Sequence, residues 1–131
     1  MNYLGLDDIV MIAAAVLDIE PEVLHRTSRI NTADSAVHAP GATFGEIECH
    51  PGLVQKIGVL GYRLVRYHPF PDGNKRVAFL AMVDMAERNG AKWSEPPDDP
   101  EGDDTVEMML AAAAGTVDED GFIIWVGTRV T

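Results

Sequence analysis

The chain has 131 residues, 47% of them apolar and 24% charged, and a net charge of −11. That length suits one domain with a real core, and the balance excludes a disordered or fibrous chain. So large an acidic excess argues against general nucleic-acid binding, which depends on Lys and Arg neutralising phosphates.

In chain order, the first residues, MNYLGLDDIV, carry acids where a signal peptide carries bases. The apolar run Ile9 to Leu17 falls well short of the roughly 20 residues that cross a membrane. A cytoplasmic protein without a membrane partner is expected. Asp7 or Asp8 is placed to cap a first helix reaching about Leu17, with Ile9, Ile12 and Val16 as its apolar stripe and Pro21 blocking simple continuation. From Thr27 to Ile47 the helical pattern fails. SRINTADSAVHAPGATFGEIECHP mixes Ser, Asn, Asp, Gly and Pro with a few β-formers, which predicts a long loop with room for a short hairpin. Cys49 is the only cysteine, so neither an intramolecular disulfide nor a thiolate metal cluster can form. A partly packed, inert thiol is expected there.

Val54, Ile57, Gly61, Leu64, Val65 and His68 recur at three- and four-residue spacing, predicting a helix from about Pro51 to Tyr67. KRVAFLAMVDMAERNG predicts a second, densely apolar helix closed by Arg88 and Gly90, expected to be the buried centre of the fold. A Pro- and Asp-rich connector runs from Glu95 to Asp104. Asp103 or Asp104 then opens TVEMMLAAAA, closed by Gly115, and a last helix is expected from about Asp118 to Arg129, anchored by Phe122, Ile123, Trp125 and Val126. The fold class is all-α with a small β-hairpin allowed, in a single domain over residues 1–131.

Charge is distributed unevenly. Between His50 and Phe79 lie Lys56, Arg63, Arg66, Lys75 and Arg76 against a single acid, Asp72. Two readings stand: the basic segment offsets an acidic tail, or it is focused on a compact polyanion such as a nucleotide.

The segment HPFPDGNKR, His68 to Arg76, separates the two central helices. Pro69 and Pro71 stiffen the exit from the first, and Phe70 is expected to pack inward as a plug. With the second helix starting near Asn74 or Lys75, its first amides and the positive end of its dipole form an anion cradle, and Gly73 lets a ligand approach the backbone closely. Lys75 and Arg76 add full charges. Asp72 fits such a place if it holds Mg²⁺, which binds through one or two carboxylates plus nucleotide phosphates and water. His68 is then available to take a hydroxyl proton, an effect worth about 10²- to 10⁴-fold in rate. Taken singly, a core histidine and an Asp-Gly-Asn turn are the plainer readings. Their combination at one helix N-terminus favours a phosphate site.

HPFPDGNKR resembles the signature of the Fic/Doc superfamily, approximately H-P-F-x-(D/E)-G-N-(G/K)-R. SAVHAPGATFGE is similar to the flap segment of Doc-type (death-on-curing) proteins, ERNG to the end of their central helix, and AAAAGTVDEDGFIIWV to their C-terminal pair of helices, so that the likeness runs from about Leu4 to Val126. Fic-type enzymes carry a glycine after the Asn and a second arginine three residues beyond the first; Lys75 and Phe79 stand there instead, as in the Doc branch. A lysine in the space of a glycine removes one anion subsite and puts a point charge on another.

The resemblance implies a toxin of a toxin–antitoxin pair that transfers the γ-phosphoryl of ATP to a Thr of elongation factor Tu. It also implies the roles. His68 would act as base and Asp72 would bind Mg²⁺, while Gly73 and Asn74 form the anion hole and Lys75 and Arg76 hold phosphates through a loose transition state. Phe70 would be structural, and a Thr32 to Glu46 flap, including Thr43, Phe44 and Gly45, would position the target by strand-like pairing. The inhibitory pattern (S/T)-x-x-x-E-(G/N) of many Fic proteins is missing, so restraint would come from a Phd-like antitoxin. Arg63 and Arg66 are read first as a solvated helix face and second as phosphate contacts; His25, His38 and His50 have no assigned role. AMP transfer to a protein hydroxyl and a catalytically silent binding scaffold are the alternatives. Lys75 and Phe79 count against the first, and the intact His68, Asp72, Asn74 and Arg76 against the second.

Overall fold

The computed structural model describes residues 1–131 as seven helices and one very small hairpin. The first helix, α1 (Leu6–Leu17), begins a residue before Asp7. Asp8 therefore sits inside the first turn and reaches back to accept the Gly5 amide at 2.8 Å, instead of capping from outside. Pro21, which ends the simple continuation of α1, is the first residue of α2 (Pro21–Thr27), where its missing N–H costs nothing.

The predicted loop from Thr27 to Ile47 is largely ordered structure. It contains α3 (Ile30–His38), a 3-10 turn (Ala39–Gly41) and an antiparallel hairpin of β1 (Thr43–Phe44) with β2 (Ile47–Glu48). Polar composition masked α3, yet Ala33, Ala36 and Val37 fall on one face and are buried. Packing of that face decides the conformation against weak propensity. The flap proper is thus the hairpin alone, its two-residue turn made possible by Gly45 at φ 63°. Cys49 follows it and is exposed, contrary to the packed thiol expected; the hairpin stands off the body and offers nothing to cover it.

The central element is α4 (Leu53–Tyr67), with nine buried residues, whereas α5 (Asn74–Arg88) buries six along one face. The order expected from apolar density is reversed because α4 is enclosed by α3, α5, α6 (Asp103–Ala114) and α7 (Glu119–Val126). Two glycines allow that close enclosure. A Cβ on Gly58 would lie 2.7 Å from Ile123 of α7, and one on Gly61 would collide with Met82 of α5.

Asp99 accepts the amides of Asp103 and Asp104, both at 2.9 Å, and so caps α6. Gly115 closes that helix at φ 77°. Asp118 caps α7, which stops at Val126 instead of reaching Arg129, because Val130 turns away to bridge with Trp93. The connector is pinned by buried Arg129, which pairs with Asp104 at 2.6 Å and Glu95 at 3.4 Å. One hydrophobic cluster gathers residues from Leu4 to Val130.

Candidate functional site at the start of helix α5

The loop between α4 and α5 opens with His68 in the left-handed region, φ 48° and ψ 61°. A non-glycine residue there costs about 1–2 kcal/mol and persists only where its surroundings hold it. Arg29 contacts the backbone on both sides of His68. Its guanidinium donates to the carbonyls of both Tyr67 and His68, and its amide donates to Pro69 at 2.7 Å. Pro69 and Phe70 turn inward, Phe70 only 4% exposed, as the plug reading expects.

Asn74 then fastens the loop. Its Oδ1 accepts the Phe70 amide and its Nδ2 donates to the Phe70 carbonyl, each at 2.9 Å. Both ends of the side chain are engaged with the Phe70 backbone, and the main-chain N–H of Asn74 has no acceptor in the protein. Gly73 has φ 69°, and a Cβ there would meet Leu17 and Val16 at 3.0 and 3.1 Å. The protein's own α1 therefore demands the glycine, whatever ligand approaches.

Past Gly73 the first helical bond of α5 is Val77 N–H to the Gly73 carbonyl at 2.9 Å. The amides of Asn74, Lys75 and Arg76 have no acceptor in the protein, leaving three donors at the positive end of the helix dipole. Lys75 and Arg76 are exposed, and neither belongs to the paired cations, which are Lys56, Arg63, Arg88 and Arg129, with His38 beside Asp34. Asp72 is exposed too; one carboxylate oxygen accepts the Gly73 amide at 2.7 Å and the other is free. No group of three or more His, Cys, Asp or Glu side chains gathers to cage a metal. A single open carboxylate fits Mg²⁺ that arrives largely coordinated by phosphates and water.

The basic segment read between His50 and Phe79 does not converge in space. Lys56 is 1% exposed and bonds the Pro40 and His50 carbonyls at 3.0 and 2.8 Å, with Glu48 at 3.1 Å. One ammonium thereby clamps both roots of the hairpin. Burial pushes its pKa down, but Glu48 and Tyr3 outweigh this and hold it above the ordinary value of 10.5. Arg63 pairs with Glu119 at 3.0 Å, beside a polar hollow of about 510 Å³ lined in part by Thr32, Ser35 and Tyr67. Arg66 lies against Gly115 at the end of α6, where a cation meets the negative end of a helix. Of the five cations, Lys75 and Arg76 alone are left free at the loop.

Beside them opens a groove of about 440 Å³ between α5 and α6, with Phe79, Leu80, Val106 and Leu110 among its walls. It is of the size that takes a small organic ligand. Thr43, Phe44 and Gly45 are exposed on the hairpin, reached along the chain from Arg29 through α3 and the 3-10 turn. Sequence reasoning missed Arg29 and the structural use of Lys56. Neither carries a periodic or capping signal, since Arg29 reaches carbonyls 38 and 39 residues away and Lys56 gathers partners 6 to 16 residues back across the hairpin.

Fold and site together define an all-α protein with three unpartnered amides and two unpaired cations at the start of one helix. The family model described as the Fic/DOC family matches residues 3–86, well over half of the chain, and the chain belongs to that family. A comparison with curated proteins found no match. Fic/DOC proteins are transferases that act on protein hydroxyls and use nucleoside triphosphates as substrates. No helix of this chain is long and apolar enough to cross a membrane.

Proposed function

We propose that this chain is a Doc-type toxin, a cytoplasmic single-domain protein kinase that transfers the γ-phosphoryl of Mg²⁺-bound ATP to a Ser or Thr hydroxyl, elongation factor Tu being the first target to try. The observation that carries the reading is the start of α5: three unpartnered amides and two unpaired cations, Lys75 and Arg76, opening onto an apolar groove. A triphosphate meets the amides and cations, and its nucleoside is of a size for the groove.

In this scheme His68 takes the proton of the target hydroxyl, whose oxygen forms a bond to the γ-phosphorus while the bond to the β-phosphate oxygen breaks and ADP leaves. The amides of Asn74, Lys75 and Arg76 and the side chains of Lys75 and Arg76 hold the phosphate oxygens during that transfer. Asp72 would hold Mg²⁺, which neutralises phosphate charge when bound. Lys75 after Asn74, and Phe79 three residues beyond Arg76, favour phosphoryl over nucleotidyl transfer. A Phd-like antitoxin would restrain the activity.

The test is the intact mass of elongation factor Tu after incubation with the protein, Mg²⁺ and ATP, beside a His68→Ala control. A gain of one phosphate that the control lacks supports the reading. A nucleotide-sized gain replaces it with AMP transfer, and no gain on this target or a panel of cell proteins overturns the kinase assignment.

A further inference from the structure

We propose that Arg29 is a positioning residue for the site: it sets the backbone of His68 and splices the flap-bearing segment onto the loop that carries the base. This rests on His68 being the base of the proposed reaction, but the hold itself stands on geometry alone.

The contacts of Arg29 are unusual in being made to three consecutive carbonyls. Its guanidinium reaches Tyr67 and His68, and its own amide reaches Pro69. Carbonyls at the end of α4 have no acceptor role left inside the helix, and they collect the negative end of its dipole. A planar, permanently charged fork that bridges two of them is well matched to that end, and lysine, with one compact head group, is not. His68 is the residue that pays the backbone strain, since it and Asp18 are the only non-glycine residues at positive φ. The two carbonyls bridged by the guanidinium flank the φ and ψ of His68 on either side, so fixing both fixes the direction from which its side chain leaves the chain.

Arg29 also stands immediately before α3, which continues through the 3-10 turn into the hairpin. At the far end Lys56 clamps the hairpin roots to α4. The segment from Arg29 to His50 is thus tied to α4 at both ends, to its C-terminus by Arg29 and to its first turn by Lys56. A base on one strand of chain and a target-holding flap on another are kept in register by these two cations.

The experiment compares wild type with Arg29→Lys, Arg29→Gln and, as a control in a nearby exposed position, Arg26→Gln. Two readouts are taken. The first is the Cε1–H signal of His68 in ¹³C-edited NMR of the free protein, assigned by its loss in His68→Asn. In Arg29→Gln this signal is expected to move or broaden while those of His25, His38 and His50 stay, with Arg29→Lys intermediate and Arg26→Gln unchanged. The second is turnover: kcat falls by about 100-fold in Arg29→Gln, the scale of a misplaced catalytic group, while KM for ATP stays within about twofold.

Arg29→Lys keeps the charge and the backbone bond to Pro69, so it remains informative if Arg29→Gln fails to fold. An unchanged His68 signal in a folded Arg29→Lys or Arg29→Gln protein overturns the proposal. A moved signal with no detectable turnover in wild type on any target leaves the positioning intact and removes the proposed reaction instead. Equal loss of kcat in Arg26→Gln assigns the effect to surface charge and overturns the positioning role.

Discussion

Asn74 grips Phe70 at both polar ends, accepting its amide and donating to its carbonyl at 2.9 Å each. The side chain that opens α5 thereby closes the loop before it, and the plug residue Phe70 is held in register with the free amides of the helix.

Replacing Asn74 by Ala leaves the N–H and C=O of nearly buried Phe70 without partners, at about 1–3 kcal/mol for each group. Urea unfolding should show the loss in the midpoint. Asn74→Asp keeps the acceptor but sets a carboxylate against the Phe70 carbonyl, so it should recover only part of the stability and weaken anion binding through its charge. Full stability in Asn74→Ala would contradict the clamp.

Lys75 and Arg76 are unpaired cations at the cradle, and neither supports the fold through an ion pair. Lys75→Ala and Arg76→Ala should each weaken Mg·ATP binding by about 10- to 100-fold, the scale of one hydrogen bond to a charged group, with melting temperature unchanged. Isothermal titration calorimetry reads the first and calorimetric unfolding the second. Unaltered affinity in both variants would move the nucleotide away from α5.

Lys56 links pH to stability on the alkaline side. Its pKa is raised in the folded chain by Glu48 and Tyr3 against the opposing effect of burial, so its contribution is fully present below the unfolded value near 10.5 and is lost as pH rises through the higher folded value. Lys56→Met should unfold about 2–4 kcal/mol more easily at neutral pH, since it strands the buried Pro40 carbonyl and removes charge-assisted bonds to the hairpin roots. It should also flatten the alkaline limb of the stability profile. Hydrogen exchange of Thr43 to Glu48 should quicken in this variant.

Asp8 acts at the other end of the pH scale. The Gly5 amide, and then Arg88, hold its carboxyl below its ordinary 3.8, so the stability it contributes is present above that value and is lost as pH falls through the lower folded value. With the side chain about a third exposed, solvent screening keeps the effect modest. Asp8→Asn should lose stability at neutral pH and show a shallower decline below about pH 3.8, measured by denaturant titration across the acid range.

Gly58 tests the enclosure of α4. A Cβ there meets both the side chain and the backbone of Ile123, at 2.7 and 3.1 Å, so Gly58→Ala should destabilise by about 1–2 kcal/mol net of its helix-propensity gain. At Gly61 the obstacle is the side chain of fully buried Met82, met at both Sδ and Cγ, so Gly61→Ala should also destabilise, by about 1–3 kcal/mol. Thermal unfolding of the two variants ranks them.

The sequence by itself determined the loop HPFPDGNKR, the helices on either side of it, the helix signals at Gly115 and Asp118, and the all-α class. These are local matters. A helix start is written in the residues at its cap, an apolar stripe repeats within a few turns, and the amides that form an anion cradle belong to consecutive positions. Only the tertiary structure decided which cations are free. Lys56, Arg63 and Arg66 sit in the same basic run as Lys75 and Arg76, yet a carbonyl pair, a carboxylate and a helix end elsewhere in the fold claim them. It likewise made α3 a helix out of a polar stretch, put α4 at the centre, and brought Arg29 to the carbonyls of the loop between α4 and α5. Contacts across 16, 38 or 56 residues leave no period and no cap in the chain, because what selects them is the burial and charge of partners that meet only once the helices have packed.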